Sequence, residues 1–269
     1  MNPFLQVLKQ RAELEDFWVL PASLTDAQKV QANSAIGYSE PPEVAPIVKP
    51  ATGVHVKEEL QMAFETGTSI DPKYTNLTQY QTLDQFLQAI CDCTRCELGN
   101  TRTKFVFGVG SPSSELMFIG EAPGADEDAQ GIPFVGRAGK LLTEMLTTSG
   151  FIRDKIYIAN VLKCRPPGNR DPLPSEVAEC EGYLHRQIEL LQPKLLVALG
   201  RIAATTLLRK QLSMAVFKQS EHSYHDVPLL VTYHPAYILR DPNRKGEALQ
   251  DFTRIRNRFI ELGGTFGLQ

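Results

Sequence analysis

Four short apolar runs constrain this chain more than any other feature: Leu116-Met117-Phe118-Ile119, Ile156-Tyr157-Ile158-Ala159, Leu195-Leu196-Val197-Ala198-Leu199 and Leu229-Leu230-Val231. Each is of strand length and shorter than a stable helix. Between them the spacing becomes helical. Leu141, Leu142, Met145 and Leu146 fall on one helical face and stop at Gly150; a second helix begins near Pro174-Ser175-Glu176 and runs to about Gln192. Gly200 turns the chain into a helix through Leu208, and Ala248 to Leu262 reads as a closing helix. Strand alternating with helix predicts a parallel sheet covered on both faces. Ligands then belong beyond the carboxyl ends of the strands.

Polar residues stand at three of those ends: Glu121 after the first strand, Asn160 at the end of the second and His234 just after the fourth, whereas the third offers Gly200-Arg201. Singly they say little, because a loop glutamate is usually solvated and a lone histidine is usually a satisfied hydrogen-bonder. Together they place a carboxylate, an amide and an imidazole along one edge. These groups suit orienting water, reading a polar ring edge and stabilising developing negative charge. Phe134, in the glycine-flanked loop Gly131-Ile132-Pro133-Phe134-Val135-Gly136, serves either a stacked flat ligand or the core. The turn Gly120-Glu121-Ala122-Pro123-Gly124 lacks the Lys-Ser/Thr of a P-loop and the three-glycine dinucleotide pattern, which argues against a kinase or a dehydrogenase.

Five cysteines, an odd number confined to Cys91–Cys180, do not form a disulfide framework. Cys93-Thr94-Arg95-Cys96 is a C-x-x-C pair, followed by Cys164 and Cys180 with fifteen residues between them. Four thiolates suit zinc or an iron–sulfur cluster, and spacing does not choose between these; the remaining alternative is a redox pair with two buried thiols. Cys91 is left as a free thiol.

The 269 residues suffice for one large domain or two modest ones, and no apolar run reaches the length of a membrane-spanning helix. The N-terminus lacks secretory character, so a cytoplasmic protein is expected. A net charge of −3 excludes binding to polyanions by bulk charge alone. That charge is unevenly spread: residues 1–80 hold 6 basic and 10 acidic side chains, and residues 81–269 hold 22 and 21. The first part therefore reads as an acidic, partly disordered extension. Phe4, Val7, Leu8, Leu14 and Trp18 predict a short helix there, and residues 32–53, with Pro41-Pro42, Pro46 and Pro50, have linker composition. The helix either packs on its own domain or serves as a tethered site for a protein partner.

With these blocks assembled, the chain resembles the family 4 uracil-DNA glycosylases, the iron–sulfur branch of that superfamily. The resemblance covers roughly Leu83 to Phe259 and rests on Cys93-Thr94-Arg95-Cys96, Val106-Phe107-Gly108, Gly120-Glu121-Ala122-Pro123-Gly124, Pro133-Phe134-Val135-Gly136, Asn160-Val161-Leu162-Lys163-Cys164-Arg165-Pro166-Pro167, Cys180 and His234-Pro235-Ala236-Tyr237.

The resemblance implies a three-layer α/β/α sandwich around a four-stranded parallel sheet in residues 81–269. It also implies a structural 4Fe–4S cluster on Cys93, Cys96, Cys164 and Cys180. The implied substrate is DNA containing uracil, and the enzyme would act as a monomer that flips the base out and hydrolyses its N-glycosidic bond. By the same analogy Gly120, Glu121, Phe134, Asn160 and His234 bind uracil, with Glu121 and His234 catalytic. The segment 164–170 has no histidine, which favours ordinary turnover over covalent trapping of the sugar. Ile238 and Leu239 are expected to wedge into the base stack, and Arg240, Arg244 and Lys245 to meet phosphates. Two alternatives stand beside this reading: a DNA-binding or scaffold protein without catalysis, and a glycosylase for another deaminated base.

Overall fold

The computed structural model describes residues 77–268. The expected N-terminal helix and proline-rich linker lie outside the described residues. Leu77 and Tyr80 pack against the core. The first helix, α1 (Leu83–Ile90), begins at Thr82, whose hydroxyl accepts the Gln85 amide and so satisfies one of the orphan donors of the first turn.

The sheet holds five strands: β1 (Leu116–Gly120), β2 (Tyr157–Asn160), β3 (Leu195–Leu199), β4 (His222–Tyr224) and β5 (Val227–Thr232), in the order β2-β1-β3-β5-β4. The four anticipated strands, β1, β2, β3 and β5, pair with one another in parallel. The expectation of four needs correction, because β4 adds an antiparallel edge through a tight hairpin onto β5. Its turn residues, His225 and Asp226, both have positive φ (45° and 63°), the conformation of a primed two-residue hairpin turn. At the opposite edge the Val109 backbone exchanges hydrogen bonds of 2.9 and 2.8 Å with Ile158.

Every residue of β1, β2 and β3 is buried, as strands covered on both faces require. Alternate side chains serve opposite layers. Met117 and Ile119 join α1, the long helix α5 (Pro174–Leu191) and α6 (Arg201–Leu208) in one apolar cluster. Leu116 and Phe118 face α4 (Arg137–Thr148), α8 (Pro235–Arg240) and α9 (Lys245–Glu261) in the other. Phe118 stacks on Phe252 of α9 with centroids 5.7 Å apart. Shorter helices complete the order: α2 (Leu98–Thr101), α3 (Ala125–Gln130) and α7 (Met214–Gln219). The chain steps from β1 out to β2 on one side and then crosses back past β1 to β3 on the other, which opens a crevice at the carboxyl ends of β1 and β3.

Candidate active site

A cleft of about 700 Å³ occupies that crevice, and Glu121, Phe134, Asn160, Gly200, Arg201 and His234 all line it. Strand β1 delivers Glu121, β2 ends in Asn160, and His234 follows β5 as the N-cap of α8. Of the expected set, Glu121, Phe134, Asn160 and His234 meet in this pocket, whereas Gly120 is buried and not among its lining residues. Asn160 is 2% exposed, and its Oδ1 has no hydrogen-bond partner. A buried unpaired acceptor is costly, and a donor entering the cleft could satisfy it. Gly120 makes the arrangement sterically feasible: a Cβ there would stand 2.3 Å from Asn160 Oδ1 and 2.7 Å from Phe134 Cζ.

Phe134 is held in the left-handed region, at φ 55°, a conformation that costs a non-glycine residue energy unless its surroundings fix it. Two side chains do so. Arg153 donates through Nη2 to the carbonyls of Phe134 (3.0 Å) and Pro133 (3.3 Å). From the other side, Glu127 of α3 accepts the amides of Val135 and Gly136 at 3.0 Å each and that of Gly124 at 3.1 Å, joining the two loops that carry Glu121 and Phe134. Gly139 is needed as well, because a Cβ there would lie 1.8 Å from the Phe134 carbonyl oxygen. Neither Glu127 nor Arg153 is among the residues that the sequence pattern points to. The only available signal was a glutamate three residues after a helix-capping glycine, which marks a capping box and not a loop clamp.

The Phe134 and His234 rings lie 5.5 Å apart at 37°. His234 Nδ1 accepts the Ala236 amide at 3.1 Å, so its proton resides on Nε2. Burial, reinforced by Arg240, pushes its pKa down to about 4, and the ring is a neutral donor at physiological pH. Glu121 moves the other way. Burial first, and then Asp171, push its pKa up to about 7 against the opposing pull of Arg201. The cleft therefore pairs a neutral imidazole donor with a carboxyl that ionises near neutrality.

The segment after His234 behaves differently from its expected role. Ile238 is buried at 2% exposure against α4 and α9, so its assignment as a surface wedge is corrected: α8 is a helix and turns that side chain inward. Leu239 and Tyr237 are the exposed apolar residues, and Tyr237 stacks on Tyr233 at 5.4 Å. Arg240 lines the cleft. Arg244 is engaged by Asp241 (3.5 Å) and Glu247 (3.1 Å), and Lys245 by Glu144 (2.8 Å).

The four candidate metal-binding thiols form a second cluster beside the end of β2. Each of three sulfurs accepts hydrogen bonds: Cys93 from Tyr183 Oη (3.3 Å) and the Arg95 amide (3.5 Å), Cys164 from Arg102 Nη1 (3.5 Å), and Cys180 from the Lys163 amide (3.3 Å). Cys96 and Cys93 bear electrostatically on Cys164, and Cys164 and Cys96 bear on Cys180. Burial pushes the free Cys164 thiol up to about 11 and Cys180 up to about 12, so ionisation there calls for a bound cation. Donors aimed at sulfur fit thiolate ligands. No three His, Cys, Asp or Glu side chains among the described residues converge on a single-ion site. Cys91 stands apart, directing its thiol at the Gln88 carbonyl at 3.6 Å.

This architecture and pocket define a class, and the comparisons with known proteins agree with it. The uracil DNA glycosylase superfamily model matches residues 107–255. The Type-4 uracil-DNA glycosylase of Archaeoglobus fulgidus is 44% identical over 183 residues, 65% of this chain and 92% of that protein. Those of Sulfurisphaera tokodaii and Thermotoga maritima are 41% identical over 188 residues and 39% over 193, covering 66% and 70% of this chain and 86% and 99% of theirs. The chain belongs to the uracil DNA glycosylase superfamily, in its Type-4 branch.

Proposed function

We propose that this chain is a uracil-DNA glycosylase that rotates deaminated cytosine out of DNA, hydrolyses its N-glycosidic bond and releases free uracil, leaving an abasic site. The observation that carries the reading is the unpaired, buried Oδ1 of Asn160, set beside the Phe134 ring. That oxygen accepts uracil N3–H while the amide NH₂ donates to O4. Cytosine would meet the same amide with an unprotonated N3 and an amino group, leaving buried groups unpaired. Phe134 stacks on the flipped ring.

As the C1′–N1 bond breaks, its electron pair moves onto the base and positive charge develops on the sugar. His234 Nε2–H donates to O2 as that oxygen becomes anionic. Ionised Glu121 holds the attacking water and stabilises the cationic sugar; the water oxygen bonds to C1′ and its proton passes to the carboxylate. No side chain is joined covalently to the sugar, so the enzyme turns over. Leu239 and Tyr237 support the distorted base stack and Arg240 meets the backbone, on the basis of their exposure and place at the cleft.

Cys93, Cys96, Cys164 and Cys180 would hold a 4Fe–4S cluster, which takes four cysteine thiolates. When bound it supplies a cross-link among the segment before β1, the exit of β2 and α5. The free thiols fit a reducing cytoplasm. No helix among the described residues is long and apolar enough to cross a membrane. Residues 1–80 are read as an N-terminal extension with a possible protein partner, residues 81–269 as the catalytic part, and one pocket serves one flipped base in a monomer.

The deciding experiment is base release from an oligonucleotide with a single uracil, using protein purified with its metal. Release from the uracil strand only, lost in Asn160→Ala, supports the reading. A folded, metal-replete sample inactive on both single and double strands would overturn it.

A further inference from the structure

Lys163 is fully buried, at 0% exposure, between the base-reading Asn160 and Cys164. A buried ammonium ordinarily has an anionic partner. Lys218, the other buried lysine among the described residues, has Glu247 and Asp251, the latter at 3.0 Å. Lys163 pairs with no carboxylate among the described residues. Its Nζ donates instead to the Asn160 backbone carbonyl at 2.7 Å and to Gln187 Oε1 at 2.6 Å. Gln187 is itself oriented, because its Nε2 faces the Phe107 carbonyl (2.9 Å) and Tyr157 Oη (3.2 Å), which leaves its oxygen for the lysine. The groups near Lys163 that become anionic on taking up metal are the sulfurs of Cys180 and Cys164, and its own amide donates to Cys180 Sγ at 3.3 Å.

We propose that Lys163 is a positioning residue that ties Asn160 to the metal-binding cysteines: its ammonium fixes the Asn160 carbonyl and takes the Cys164 and Cys180 thiolates as its counter-charge. The charge has no other balance in this part of the core, and the contact to Asn160 lies at the residue whose amide reads the base. The proposal rests on the uracil reading of the cleft for its kinetic readout, and its electrostatic readout is independent of it.

The test compares Lys163→Met and Lys163→Gln with the unmutated holoprotein, each also combined with Asn160→Ala. Iron and sulfide content and the reduction potential of the bound cluster are measured alongside kcat and KM for uracil release. Removing a buried positive charge should move the potential to more negative values in both variants. Lys163→Met should lower kcat at least tenfold with little change in KM and add nothing in the Asn160→Ala background. Lys163→Gln, which keeps a neutral donor, should recover part of kcat and none of the potential. An unchanged potential overturns the counter-charge, and losses that multiply with Asn160→Ala overturn the positioning. If Lys163→Met does not fold with metal, Lys163→Gln carries both readouts. Absence of release by the unmutated protein would count against the glycosylase reading alone, and the potential would still decide the charge.

Discussion

Gly120 and Asn160 approach so closely that a single added methyl at residue 120 would reach to 2.3 Å from the asparagine Oδ1, and the Phe134 ring edge closes the same space at 2.7 Å. Strands β1 and β2 pair these two residues directly in register, so the position of Asn160 is set by the sheet itself.

Gly120→Ala should therefore displace Asn160 or Phe134 without unfolding the sheet. Displacement of about an ångström costs roughly a hundredfold in rate. Single-turnover uracil release beside a thermal melt checks this; a rate within twofold of the unmutated protein would contradict the steric reading.

Asn160→Ala and His234→Ala should each lower release more than Glu121→Ala. Loss of a hydrogen bond to the developing oxyanion costs on the order of 10²–10³ in rate, whereas solvent partly replaces an orienting carboxylate. The ranking is read from single-turnover constants at pH 8, and its reversal would reassign the roles.

The pH profile should follow Glu121. Its carboxyl ionises at about 7, so activity rises as pH increases through that value, and His234, with its pKa near 4, stays neutral throughout. The same shift acts on stability with the opposite sense. A folded pKa above the unfolded one gives stability that is complete below about 4.5 and is lost as pH climbs to about 7. Glu121→Gln should flatten the activity rise and, above pH 7, relieve a penalty on the order of 3 kcal/mol in denaturant unfolding.

Glu127→Ala would strip three backbone amides of their acceptor at the start of α3 and α4. The expected destabilisation is on the order of 3 kcal/mol. Urea unfolding measures it, and a change below about 0.5 kcal/mol would show that solvent replaces the clamp.

The strands and long helices were legible because their apolar spacing is set by burial on two faces, and Glu121, Asn160 and His234 were legible because strand ends are where such folds place ligands. What escaped has local causes. Strand β4 is three residues long, and its turn uses His225-Asp226 where a hairpin signal would carry glycine. Ile238 was expected to wedge into the base stack beside Leu239, yet the helical turn there divides the apolar residues between core and solvent. Glu127 and Arg153 act on backbone atoms around Phe134, whose positive φ no residue pattern announces. Lys163 has the composition of a surface residue, and only the three-dimensional neighbourhood shows it enclosed.

The short hairpin of β4 and the Val109 bridge on β2 have a further effect, at the margins of the sheet. A free β-edge is a template on which another chain can add its own strand. Here one margin ends after three residues and the other is already occupied by backbone hydrogen bonds. Neither margin leaves a long open ladder, which guards a largely parallel, apolar sheet against edge-to-edge aggregation.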